Sequence, residues 1–173
     1  MTIALLLVDA QRNMLEGDAP IPAATELRLT LATLLAHART AGATVVHIQN
    51  DGPPGSPDEP HTEGWELVLA PVPGEIVVRK EVGDAFAANP GLAETLRGLG
   101  VDQVIVAGLQ SEFCIQATSR GALNAGFEVF LPHGAHGTYD DGTSAAAEVS
   151  NTVERELAAE GVELLGLAEV DFG

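Results

Sequence analysis

The chain has one cysteine, Cys114, in the segment 101–127, VDQVIVAGLQSEFCIQATSRGALNAGF, where a β-branched run gives way to helix formers. Val104, Ile105 and Val106 read as a buried strand, and Gly108 ends it at a sharp turn. Ser111 is a good N-cap and Gly126 suits the position just past a helix end, so Cys114 falls in the first helical turn. There, unpaired N–H groups and the positive end of the helix dipole favour thiolate over thiol and can hold a developing oxyanion. A free cysteine is by default a small buried hydrophobe. Two other residues argue for chemistry: Asp9, directly after the apolar run 3–8, and Lys80, directly after the run 75–79. A carboxylate, an ammonium and a thiol at strand ends fit acyl transfer: the carboxylate takes the thiol proton, and the ammonium holds both anions in one site. Each alone has a blander role, Asp9 as a loop cap and Lys80 as a solvated surface charge.

The three converge only if the elements carrying them form one sheet. IALLLV at 3–8 shows no alternation, as expected of a strand covered on both faces. Leu27, Leu31, Leu34, Leu35 and Ala38 recur at helical spacing within 23–41, and Gly42 closes that helix. TVVHI at 44–48 is a second strand, completing a β-α-β unit whose crossover should be right-handed. Residues 51–73, dense in Pro and Gly at their start, form an irregular excursion of a length that is usually functional or mobile. A third strand spans 75–79. A short helix spans 90–99, with Asn89 as cap and Pro90 at its first position. Beyond the cysteine helix come a strand at 128–131, a helix at 144–160 ending at Gly161, and a sixth strand at 162–167. Alternating strands and helices predict an α/β domain with a central, mostly parallel six-stranded sheet, helices on both faces, and a ligand site beyond the carboxyl ends of the strands.

A chain of 173 residues fits a single domain, and no linker divides it. The hydrophobic share is 46% but aromatics are 4%, so Val, Leu, Ile and Ala must build the core. The formal charge of −17, from 25 acidic and 8 basic residues, disfavours nucleic acid and anionic membranes as partners. No apolar run is long enough to span a bilayer, no signal-like segment is present, and a lone cysteine forms no internal disulfide; a soluble, cytoplasmic protein is expected.

LLVDAQ at 6–11, VVRKEVGDAF at 77–86 and AGLQSEFCIQAT at 107–118, spaced as they are, resemble the isochorismatase-like cysteine hydrolases, which include nicotinamidases. The resemblance covers nearly the whole chain. It implies a three-layer α/β/α Rossmann-like fold, an Asp-Lys-Cys triad at Asp9, Lys80 and Cys114, and a non-proline cis peptide between Leu109 and Gln110. The backbone N–H groups of Gln110 and Cys114 would then be oxyanion donors. The implied activity is hydrolysis of a small-molecule carboxamide through a Cys114 thioester, in a homodimer or homotetramer. Trp65, Phe86, Phe113 and Tyr139 are candidates to shape an apolar substrate pocket.

Nicotinamidases hold a metal with an Asp-x-His pair and further histidines. Here Asp51 stands in place of the Asp, but Pro53 replaces the His, and the distant His61 leaves too few ligands; no catalytic metal and no cofactor are expected. In 131–140, Gly134-Ala135 replaces the family's Asp-Ala pair, and His133 and His136 are candidate pocket-edge residues that more often prove bystanders. Three rivals remain. Vinyl-ether hydrolysis of isochorismate needs the Asp but no thiol. Dinucleotide binding needs G-x-G-x-x-G where this chain reads DAQRNM. A non-catalytic oligomeric scaffold would not need the triad residues.

Overall fold

Uninterrupted apolar runs need cover on both sides, and the computed structural model, which describes residues 2–173, provides it with two helical layers around one sheet. In chain order the elements are β1 (Ile3–Val8), α1 (Arg12–Leu15), α2 (Ala24–Ala41), β2 (Thr44–Asn50), β3 (Ile76–Lys80), α3 (Ala85–Ala88) and α4 (Leu92–Gly98). There follow β4 (Gln103–Leu109), a π turn (Ser111–Ile115), α5 (Gln116–Asn124), β5 (Glu128–Pro132), β6 (His136–Gly137), α6 (Ala146–Glu160) and β7 (Glu163–Leu165). The sheet order is β3-β2-β1-β4-β5-β7, with β6 beside the end of β4, and every ladder is parallel.

Strand alternation divides the core. Ala4, Leu6 and Val8 of β1 face α4, α5 and α6 through Leu96, Ala122 and Leu157, whereas Leu5 and Leu7 face the apolar stripe of α2, Leu27, Leu31, Leu34 and Leu35. α2 ends as its sequence dictates: Gly42 takes a left-handed conformation, and its N–H reaches back to Ala38 and Arg39. No described helix is long and apolar enough to cross a membrane.

The structure corrects several expectations. Among the described residues there are seven strands, not six, because β6 is two residues long, too short for any periodicity, and exists only through its ladder to Gly108 and Leu109. Gly108 does not end β4. It lies within the strand at φ 127°, and a Cβ there would meet the Val8 carbonyl oxygen at 2.0 Å, so glycine is required for the close approach of β1 and β4. Asn89 does not cap α4 with its side chain. Its Nδ2 instead donates to the carbonyls of Arg79 and Ala85, closing α3, which the sequence left undivided from loop. Ser111 caps nothing. It is fully buried, and its hydroxyl is engaged by α6 and β6.

The excursion between β2 and β3 is stitched down along its second half. Arg12 N–H donates to the Glu66 carbonyl, Asn13 N–H to that of Gly64, and Val68 N–H to that of Ala10, while Gln11 and Leu67 form an antiparallel bridge. The buried Gln11 side chain ties three segments together, donating to the Asn50 and Trp65 carbonyls and accepting from the Asn50 N–H. This connection therefore forms one wall beside the carboxyl ends of β1 and β2.

Candidate active site

In β3, Ile76 and Val78 turn toward the core and Val77 and Arg79 away, so alternation sends Lys80 inward with the first pair. Its side chain is fully buried, a state lysine tolerates only when its charge is compensated. Three acceptors compensate it: Nζ donates to Asp9 Oδ2 at 2.9 Å, Asn50 Oδ1 at 3.0 Å and Cys114 Sγ at 3.1 Å. Asn50 enters because β2 lies between β1 and β3, with Asn50 paired in register to Lys80, so the lysine must reach across the end of β2 to meet Asp9.

Asp9 arrives by breaking the strand rule. Continued alternation would put it on the α2 side with Leu5 and Leu7, but its φ of 49° is left-handed, a conformation Asp tolerates better than most residues, and its carboxylate meets Lys80 instead. Its N–H remains tied to the Ile48 carbonyl. Oδ1 is buried with no hydrogen-bond partner. Such an unsatisfied acceptor in a native site calls for a functional explanation.

Cys114 stands on the π turn that follows β4, half-buried, with its sulfur accepting from Lys80. The Leu109–Gln110 peptide is cis, and the Gln110 carbonyl accepts from the N–H groups of Phe113 and Ile115. The charges set the proton's place. Burial, then the Asp9 carboxylate, push the thiol up to about 12, outweighing Lys80, so the resting sulfur is protonated at neutral pH and the helix-end preference for thiolate expected from sequence is overridden. Burial likewise raises the Asp9 carboxyl above its ordinary 3.8 despite Lys80, which makes it a better proton acceptor. For Lys80, burial opposes the charge, but attraction to Asp9 and Cys114 outweighs it and holds the ammonium protonated.

The thiol opens on a cleft of about 330 Å³ lined by Asp9, Asn13, Asn50, Asp58, Gln110 and Cys114, with Met14, Phe113 and Tyr139 as its apolar surfaces. Phe113 is 60% exposed, and the Tyr139 hydroxyl donates to the Ala19 carbonyl. Two expected pocket residues lie elsewhere. Phe86 is buried in the core against Phe127, ring centres 5.8 Å apart. Trp65 anchors the excursion: its indole donates to Asp51, its carbonyl accepts from Gln11 and Gln49, and the Arg79 guanidinium lies 5.0 Å from its ring centre. His133 and His136 line a separate hollow with Glu154.

Asn50, Asp58 and Asn13 join the cleft without having stood out in the sequence. Nothing in a strand-end Asn or in one Asp of a Pro-rich stretch marks it; the only available signal for Asn50 was its place at the carboxyl end of a strand. Asp51 is committed to Arg79 and Trp65, and His61 packs on the Trp65 ring. Among the described residues no group of three or more His, Cys, Asp or Glu is placed to hold a metal ion.

A family model for the isochorismatase domain matches residues 3–157. The chain belongs to the isochorismatase family. It is similar to two streptothricin hydrolases of Streptomyces noursei, 48% and 46% identical over 162 residues each. Those alignments cover 92% of this chain but only 58% and 63% of the relatives, so the chain spans about three fifths of their length. Among solved structures, an isochorismatase of Pseudomonas putida KT2440 superposes with a TM-score of 0.88 at 28% identity, covering 98% of this chain and 90% of that one.

Proposed function

We propose that the protein hydrolyses a C–N amide bond of a small molecule through a thioester on Cys114. The observation that carries this is the Lys80 ammonium, hydrogen-bonded in one buried spot to both the Asp9 carboxylate and the Cys114 sulfur. Family membership and the named activity of the Streptomyces noursei relatives support it, and they make streptothricin a substrate to try first.

In the first step Asp9 takes the thiol proton as Sγ bonds to the amide carbon. Its raised pKa suits it to this, and Lys80 stabilises the sulfur's charge until the bond has formed. The backbone N–H groups of Gln110 and Cys114 hold the tetrahedral oxyanion. Collapse breaks the C–N bond, and the amine leaves with the proton that Asp9 had taken. Water then attacks the thioester, giving its proton to Asp9; the C–S bond breaks, the acid departs, and the proton returns to sulfur. Lys80 stays protonated throughout.

The test is a panel of amides, streptothricin among them, offered to native protein and to Cys114→Ala. Release of amine by the native protein, at least about 10³-fold faster than by the variant, with an acyl adduct on Cys114 seen by mass spectrometry of quenched samples, is the expected result. An equally active variant with an unchanged melting temperature would refute the nucleophile.

A further inference from the structure

The cleft beside Cys114 holds two carboxylates and no cation that a substrate could use. All three protons of Lys80 are taken by Asp9, Asn50 and Cys114, and its side chain is fully buried. The second carboxylate, Asp58, is built into place: Oδ2 accepts from Asn50 Nδ2 at 2.7 Å, Oδ1 accepts from Ser56 Oγ at 2.8 Å, and the carboxylate lies so close over Gly52 that a Cβ there would meet it at 2.0 Å. Both partners are neutral donors, and among the described residues no lysine, arginine or histidine forms an ion pair with it. Through Asn50 it is one side chain removed from Lys80. Asn13 Oδ1, also at the cleft, is a buried acceptor without a partner.

Acceptors are thus in excess at the site, and a substrate has to bring the missing donors and positive charge. The neighbouring hollow of about 480 Å³, which shares Asn13 with the cleft, continues in the same sense. Glu16, Asp18 and Glu63 line it, and its one cation, Arg12, is paired with Glu16, Glu63 and Glu66. With −17 on the chain, the long-range field also draws cations and repels anions.

We infer that the substrate is an amide carrying a cationic group, an ammonium, amidinium or guanidinium, and that Asp58 is the specificity residue that receives it. This rests on the amide-hydrolase function proposed above. A carboxylate placed next to the scissile bond would find no free cation and would face Asp58 and Asp9.

The probes are a carboxamide bearing a primary ammonium group, its neutral isostere with a methyl in place of the ammonium, and a carboxylate analogue. Each is measured in two ways, by turnover and by protection of Cys114 from iodoacetamide. Native protein should be protected by the cationic amide at a concentration at least about tenfold lower than by the neutral one, the factor expected for one charge-assisted hydrogen bond, and least by the carboxylate. Asp58→Asn, which keeps the shape of the side chain, should erase that preference by raising the protecting concentration, and any KM, for the cationic amide alone. Asp58→Glu should restore part of it. Equal protection by the cationic and neutral amides in native protein, or none by either, overturns the inference, as does an Asp58→Asn change that weakens both alike. A preference that survives in protection while no amide is turned over would refute the hydrolase function and leave the cation site standing.

Discussion

The short π turn Ser111–Ile115 carries two nucleophile-type side chains, Ser111 and Cys114, each hydrogen-bonded to a nitrogen side chain that in turn meets a carboxylate, and the two networks are finished to different degrees. Ser111 Oγ is hydrogen-bonded to His136 Nδ1 at 2.8 Å and to Ser150 Oγ at 2.9 Å, and His136 Nε2 to Glu154 Oε1 at 3.1 Å, with His133 closing on the same carboxylate. The order Ser, His, Glu is that of a hydrolase triad, yet Ser111 and the His136 side chain have no exposed surface, and the hydroxyl is held from both sides. Around Cys114, by contrast, the sulfur opens on a cleft, and Asp9 Oδ1 is left without a partner. Residue types alone do not tell a reactive cluster from a structural one. Access for a substrate, and an acceptor still waiting for a proton, do.

The strongest way to break that contrast is Lys80→Met. It leaves Asp9 buried and unpaired and removes the charge that steadies the sulfur, so unfolding in urea should show a loss of about 3–5 kcal/mol. Turnover should fall by at least about 10³-fold. Loss of stability with an unimpaired rate would make the cysteine cluster as structural as the serine one.

Glu154→Gln probes the closed network. It weakens the clasp between α6, His133 and His136, and a cost of about 1–3 kcal/mol is expected in the same urea titration, with turnover changed less than about tenfold. A collapse of activity at full stability would show that the buried serine chain takes part in the reaction.

Acid sharpens the difference with the smallest effect, because the two carboxylates are shifted in opposite senses. Burial works against the Glu154 charge, but its hydrogen bonds to His136 and then His133 outweigh it and lower its pKa below the ordinary 4.5. Its contribution to stability is therefore complete above 4.5 and is lost as pH falls through the folded value, so the gap between native protein and Glu154→Gln should narrow below pH 4.5. The Asp9 carboxyl is raised above 3.8, so its ionisation costs stability as pH rises through its folded value, and the acid limb of turnover should lie above pH 3.8. An acid limb at or below 3.8 would exclude Asp9 as the proton acceptor.

The long apolar elements are legible in the sequence because their signal is local. Ile3–Val8 has no polar interruption, and the α2 stripe from Leu27 to Ala38 repeats at helical spacing and stops at a glycine whose φ is 70°. β6 is not legible, since two residues carry no period and depend on β4 for their existence. The site divides in the same way. Asp9 and Lys80 announce themselves by directly following apolar runs, and Cys114 by being the one cysteine, at the strand-to-helix turn. Asn50 joins them because β2 separates β1, which leads to Asp9, from β3, which ends in Lys80, and Asp58 because the excursion folds back onto Asn50. Trp65 and Phe86, equally aromatic in the sequence, go to a loop anchor and to the core, since what an aromatic ring packs against is a matter of neighbours distant in the chain.

By itself the sequence determined the long strands and helices, the parallel sheet they imply, and Asp9, Lys80 and Cys114 as the candidate residues; periodicity and helix-end punctuation act over a few residues and need no partner. Only the tertiary structure decided that the thiol rests protonated at an open cleft while the serine beside it is sealed, that Asp9 turns against its strand's alternation to meet Lys80, and that a second carboxylate, Asp58, lines the same cleft. Burial and through-space charge govern those outcomes, and both are sums over atoms that the chain brings together only when it is folded.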